Sequence, residues 1–216
     1  MSRVEPEASR GRMRGTNFYM KKKILIPIFV VLFLAVAVGG FFWWWQGREI
    51  KGSPEDYVIK ETEEGKFVEN KRAGLTVKVP EGWEVKKMEI REGSVIINSP
   101  GIEGKEWDKM IVPPLIKGCG IEIAVVYKKM NLEEIEKEVK KLHWALQIKS
   151  EEFEKTTINN WQALKNIFES EELGSVISIY IPLKNKLYNI GLYFAPDEKE
   201  RCIQDFDNFL ETISIK

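Results

Sequence analysis

Cys119, Cys202 and His143 are the residues from which this chain could build chemistry, and it has no other cysteine or histidine. Two cysteines offer a disulfide or a redox dithiol. The dithiol is weakly supported, because the pair is not Cys-x-x-Cys. Cys202 shares an apolar helical face with Phe206, Phe209 and Ile213, and Cys119 opens an apolar strand at Ile121. A helix packed on that sheet brings the two together, so a disulfide is expected, with two separate buried thiols as the alternative. Closing a loop of this length contributes at most about 4.5 kcal/mol through the unfolded chain. His143 stands one step off an apolar helical stripe, beside Trp144, with no second histidine to complete a metal set. An ordinary helix-edge residue is the expectation. Any Ser/His/acid or Cys/His relay must route through this imidazole, and no nucleophile motif points to it.

Other motifs fail on spacing. Asp205 to Asn208 lacks the glycine and the later glutamate of a calcium loop. Gly101 to Lys105 lacks the length and the Ser/Thr of a phosphate loop. Carboxylates are so frequent that no pair stands out as acid and base. The residues thus predict no catalytic set, no metal site and no cofactor.

Stepping along the chain, charge divides it into three. Residues 1–23 carry seven Lys/Arg against Glu5 and Glu7, and 24–45 carry no charge. Of the 33 basic and 33 acidic residues, 26 and 31 therefore remain in 46–216, a mildly acidic body without the footprint of a nucleic-acid binder. The run from Ile24 to Trp45 is apolar throughout. As a helix it reaches about 33 Å, matching a hydrocarbon core of about 30 Å. Lys21, Lys22 and Lys23 abut one end, and Trp43, Trp44 and Trp45 close the other at the headgroup level. Basic residues beside a span favour the cytoplasmic side, so the N-terminus reads as inside and 46–216 as extracytoplasmic. A cleaved signal peptide is the rival reading, with Ala35-Val36-Ala37 as a cleavage site. Cleavage there would leave Val38 to Trp45 as an exposed apolar terminus. Residues 1–19 read as a disordered tail.

Residues 46–66 mix glycine, proline and charge and read as a linker, so the domain is placed at 67–216. Strand signals follow at Leu75–Val79, Met88–Ile90 and Val95–Ile97. The stretch from Ser99 to Gly118, rich in glycine and proline, reads as a long irregular loop. Trp107 and Met110 within it make it the candidate binding surface. Ile121–Tyr127 is a strand, and Asn131 with Glu134 caps a helix whose stripe is Leu132, Ile135, Val139, Leu142 and Leu146. Strands around Phe153–Ile158 and Trp161–Phe168 flank the Asn159-Asn160 turn. Another hairpin joins Val176–Ile181 to Leu187–Phe194, and Asp197 with Glu200 caps a closing helix. Strands with helices that must cover sheet faces make an α+β domain.

Val79-Pro80-Glu81-Gly82-Trp83-Glu84-Val85, the central helix, the turn Ile158 to Ala163, the Leu187–Phe194 strand and the closing helix resemble the PsbP/Mog1-type domain, more narrowly the membrane-anchored PsbP-like proteins of uncharacterised bacteria. The resemblance spans about 67–214 and implies an antiparallel sheet sandwiched by helices. Plant members are photosystem subunits, and no functional residue transfers.

The sequence therefore predicts a membrane-anchored, extracytoplasmic, non-enzymatic interaction module whose partner is another envelope protein. The alternative is a small-ligand or lipid-binding sensor with an enclosed pocket lined by Trp83, Trp144 or Trp161.

Overall fold

The structure is a computed structural model and describes residues 50–88, 93–107, 110–144 and 148–216. The expected tail, the 24–45 span, Lys21–Lys23 and Trp43–Trp45 lie outside the described residues. Among those described, no helix is long and apolar enough to cross a membrane.

The fold is α+β, and every strand pair described is antiparallel. Chain order is β1 (Ile50–Lys51), a 3-10 turn (Pro54–Asp56), β2 (Tyr57–Thr62), β3 (Gly65–Asn70), β4 (Leu75–Lys78), β5 (Glu84–Met88), β6 (Ser94–Asn98), β7 (Glu103–Trp107), β8 (Met110–Lys117) and β9 (Cys119–Tyr127). Then come α1 (Leu132–Trp144), β10 (Ile148–Ile158), β11 (Trp161–Ser170), β12 (Gly174–Leu183), β13 (Lys186–Phe194), a second 3-10 turn (Pro196–Glu198), α2 (Lys199–Glu211) and β14 (Ser214–Ile215). The large sheet runs β10-β11-β12-β13-β9-β6-β5, with β1 added beside β9; a smaller sheet runs β14-β4-β3-β2, and β7-β8 form a separate hairpin.

Period-2 alternation decides which side of the large sheet closes. Val95, Ile97, Ile121, Ile123, Ile190 and Leu192 share one face, and the small sheet and α2 close it with Val68, Leu75, Val77, Phe206 and Phe209. The Cys119–Cys202 disulfide, Cα to Cα 5.8 Å across 83 positions, fastens α2 to the start of β9. The expected bridge is formed. Asn159 and Asn160 both adopt positive φ, as a two-residue hairpin turn requires, and Asn159 Nδ2 donates to the Leu210 and Ile213 carbonyls at 2.9 and 3.0 Å. The turn thereby also holds the end of α2.

Several expectations are corrected. Residues 46–66 are not all linker. Ser53 and Asp56 form a capping box ahead of β2, β2 pairs along β3, and Tyr57 is fully buried with its hydroxyl donating to the Ile123 carbonyl. The buried Tyr57 ring outweighs the polar composition around it. Ser99–Gly118 is not an irregular loop, since β7 and β8 pair across it with register shifts on either side of Gly104. A two-stranded ribbon has open outer edges, so Pro113 and Pro114 break no ladder there. Trp107 is the register partner of Met110; their side chains lie outside the described residues. In α1 the Asn131–Glu134 box is present, both bonds at 2.9 Å. Its buried stripe, however, is Ile135, Val139 and His143, whereas Leu142 is exposed. Leu146 lies outside the described residues. Asp197 and Glu200 do not box α2, because the 3-10 turn intervenes and Glu198 takes the N-cap position without a side-chain bond to the helix. Its carboxylate is used elsewhere, accepting from the Gly118 amide at 2.8 Å and pairing with Arg201.

Candidate functional site, a polar sheet face

The face of the large sheet opposite α2 is polar where the closed face is apolar. Cross-strand register places its residues in rows. One row reads Asn166, Ser178, Gly191, Glu122, Ile96 across β11, β12, β13, β9 and β6. The row to one side reads Leu164, Tyr180, Asn189, Ala124, Ser94, and the row to the other Phe168, Val176, Tyr193, Gly120, Asn98. α1 covers only part of this face, packing Ile135 and Val139 on Leu164, Tyr180 and Leu187. The β7-β8 hairpin approaches from the far end, where β8 lies against β12 and β13.

Between these covers the floor is made of small residues. A Cβ at Gly120 would sit 3.3 Å from Asn98 Oδ1 and 3.4 Å from Ile96 Cδ1. The Asn98 amide lies close over the sheet there.

Hydrogen bonding on this face is incomplete. Tyr193 donates to Glu122 at 2.8 Å, and Asn166 Nδ2 donates to Glu151 and to the Glu152 carbonyl at 3.3 Å. Yet Asn98 Oδ1 and Nδ2, Asn166 Oδ1 and Asn189 Oδ1 are buried without partners. They are four of the six such side-chain atoms among the described residues. Burying an unsatisfied polar atom costs about 1–3 kcal/mol, so their gathering on one face is the site's physical signature. Burial pushes the Tyr180 phenol up to about 12; Ser178 opposes the rise by hydrogen bonding, and the Glu151 and Glu122 carboxylates add to it.

His143 is corrected from helix-edge residue to buried anchor. It is 5% exposed, its ring lies 4.2 Å from that of Phe168, and Nδ1 donates to Glu151. Asn166 holds the same Glu151 oxygen. This chain of contacts pins the end of α1 to the β10-β11 edge. No hydroxyl is bonded to His143 among the described residues, so the geometry assembles a tether there and no activated nucleophile. Neither does any group of three or more His, Cys, Asp or Glu able to hold a metal occur among them.

Among the described residues, Trp83, Trp144 and Trp161 do not line one enclosed pocket. Trp83 is buried in the core, Trp161 packs half-buried against it, and Trp144 is 90% exposed. Two open clefts lie elsewhere: about 520 Å³ around Glu63, Lys66, Lys78 and Trp83, and about 340 Å³ around Lys129, Met130 and Lys137. Sequence reasoning missed the polar face because Asn98, Asn166 and Asn189 lie on separate strands. Alternation marks each as facing away from the core, but only register shows that they share a surface.

No family model and no curated protein matches the chain. Among solved structures it is similar to the solution structure of cyanobacterial PsbP (CyanoP) from Synechocystis sp. PCC 6803, with 10% identity, TM-score 0.46, and coverage of 74% of this chain and 92% of that one. A Bacteroides thetaiotaomicron protein is similar over 66% of this chain and 45% of its own, with 13% identity and TM-score 0.41. PA94 of Pseudomonas aeruginosa, a protein of unknown function, is similar over 74% and 97%, with 10% identity and TM-score 0.43. A PsbP is among these structures, and at such identities and scores no family, activity or partner passes from them to this chain.

Proposed function

We propose that residues 49–216 form a non-catalytic binding module that holds a hydrogen-bonding partner against the polar face of the large sheet. The observation that carries this is the set of half-buried polar side chains Glu122, Asn189 and Tyr193 on the face that α1 covers only in part. A partner meets the face at these side chains, since Asn98 and Asn166 beneath it are enclosed at 2% and 0% exposure. The engagement of His143 with Glu151 supports binding over hydrolysis. The chain carries this module on the outer side of a cell membrane, anchored by the 24–45 helix, and the partner is another envelope protein. The disulfide supports an oxidising compartment. The filled space between α1 and the sheet supports a polar, surface-bound partner over an enclosed lipid.

The test is photo-crosslinking in the native cells from probes placed singly at Asn189 and Met110, with Glu63 at the far end of the domain as control. One recurrent protein adduct from the first two positions, absent from Glu63, is the expected result. Adducts identical at all three positions, or none from Asn189, would contradict the reading.

A further inference from the structure

The two ends of the domain differ in charge. β1 pairs Ile50 with Tyr127 and Lys51 with Val126, at the end of β9 farthest from the disulfide. Among the described residues the β3-β4, β9-α1 and β12-β13 connections gather there, beside the 52–56 turn and Gly93. Lys186 Nζ and the Tyr188 hydroxyl both donate to the Ala73 carbonyl, at 2.8 and 2.7 Å, and the Arg72 guanidinium lies 4.2 Å from the centre of the Tyr127 ring. These connections carry Lys71, Arg72, Lys128, Lys129, Lys184 and Lys186. Lys71, Lys129 and Lys184 are exposed and have no ion pair among the described residues. Of the nearby carboxylates, Asp56 pairs with Arg72 at 3.5 Å and Glu138 with Lys128 at 2.8 Å, while the exposed Glu55 accepts from Ser53. Lys and Arg therefore still outnumber Asp and Glu at this end. At the other end the β2-β3, β4-β5, β11-β12 and β13-α2 connections carry Glu63, Glu64, Glu81, Glu171, Glu172 and Asp197.

Which end meets the membrane follows from chain length, and rests on the anchor reading given above. Residues 46–49 alone separate the apolar run from Ile50. Fully extended, the chain spans at most about 3.6 Å per residue, so β1 lies within about 18 Å of the bilayer. On that reading the short tether leaves the basic end within reach of the headgroups. We infer that the connections around β1 form a docking face for anionic phospholipid headgroups, fixing the domain's orientation with the β11-β12 and β2-β3 turns outermost. Lysine and arginine near an anionic surface are attracted over about a Debye length, near 8 Å at physiological salt, which a short tether satisfies and a long flexible one would not.

The test uses the full chain in nanodiscs of phosphatidylcholine alone or mixed with phosphatidylglycerol. The native cysteines are bonded to each other, so a single introduced cysteine takes a spin label selectively. Label at Asn185→Cys should lose accessibility to an aqueous relaxation agent severalfold when phosphatidylglycerol is present, and label at Glu171→Cys should stay accessible in both. The triple variant Lys71→Glu, Lys129→Glu, Lys184→Glu should keep the Asn185→Cys label at its phosphatidylcholine value. Equal accessibility at Asn185→Cys in both lipids, or loss at Glu171→Cys instead, overturns the inference. A chain that never enters the discs contradicts the anchor separately. The basic end is then read by co-sedimentation with vesicles, where equal binding to phosphatidylglycerol and phosphatidylcholine overturns it.

Discussion

On one face of the large sheet Ile121, Ile123, Ile190 and Leu192 meet Phe206 and Phe209, and the disulfide locks the helix that carries them. One residue further along the same strands, Glu122, Asn189 and Gly191 look the other way, onto a face that α1 covers in part and whose amides are only partly bonded. Both faces are made by the same alternation, and they do opposite things with it. The closed face gains stability from apolar area removed from water, while the other gives up stability to keep hydrogen-bonding groups uncommitted. A module that folds on one side and binds on the other can change its partner surface without rebuilding its core.

The comparison breaks most visibly on the closed side. Phe206→Ala should lower the unfolding free energy by about 3–5 kcal/mol, read by urea denaturation, because Phe206 is fully buried and the cavity cannot collapse between sheet and helix. Truncating Ser178 to alanine on the polar face should cost only about 1–2 kcal/mol, the loss of its hydrogen bond to Tyr180. Next in size is the disulfide: Cys119→Ala with Cys202→Ala should cost up to about 4.5 kcal/mol, measured against the oxidised parent.

A third outcome is set by pH. Burial raises Tyr180 and Tyr188 to about 12, and raises Tyr57 as well. Because the folded values lie above the unfolded value near 10, the neutral phenols stabilise the fold fully below about pH 10, and this is lost as pH rises through about 12. Tyr180 alone accounts for about 2–3 kcal/mol. Tyrosinate absorbance should rise together with loss of structure; early titration with the fold intact would show that these phenols are not enclosed.

Much of this was legible in the chain. Alternation in Ile121–Tyr127 and the 3.6-residue spacing of Cys202, Phe206, Phe209 and Ile213 predict the closed face and, through it, the disulfide. What was hidden depends on long-range pairing. Leu142 and His143 are neighbours, and a stripe stepping by 3, 4, 3 or by 3, 4, 4 is decided only by Phe168 and Glu151 waiting opposite. Tyr57 sits in a polar stretch whose folding is dictated by β3 and by the Ile123 carbonyl. The hairpin at β7-β8 is masked by Pro113, Pro114 and the register shifts beside Gly104. For the polar face, single asparagines carry no periodic signal.

The smallest effects separate amides that hold the fold from amides kept for a partner. Asn70 Oδ1 accepts from the Ala73 amide at 2.9 Å and shapes the β3-β4 turn, so Asn70→Ala should destabilise by about 1–3 kcal/mol. Asn98 has neither amide atom bonded and sits among Ile96, Ile102 and Gly120. The decisive measurement is therefore the urea-unfolding free energy of Asn98→Val. If the polar face is held for binding, the variant is more stable than the parent by about 1 kcal/mol, since an orphaned amide becomes a strand-favouring apolar side chain. A loss of stability like that of Asn70→Ala would mean that Asn98 serves the fold, and would contradict the assignment of this face to a partner.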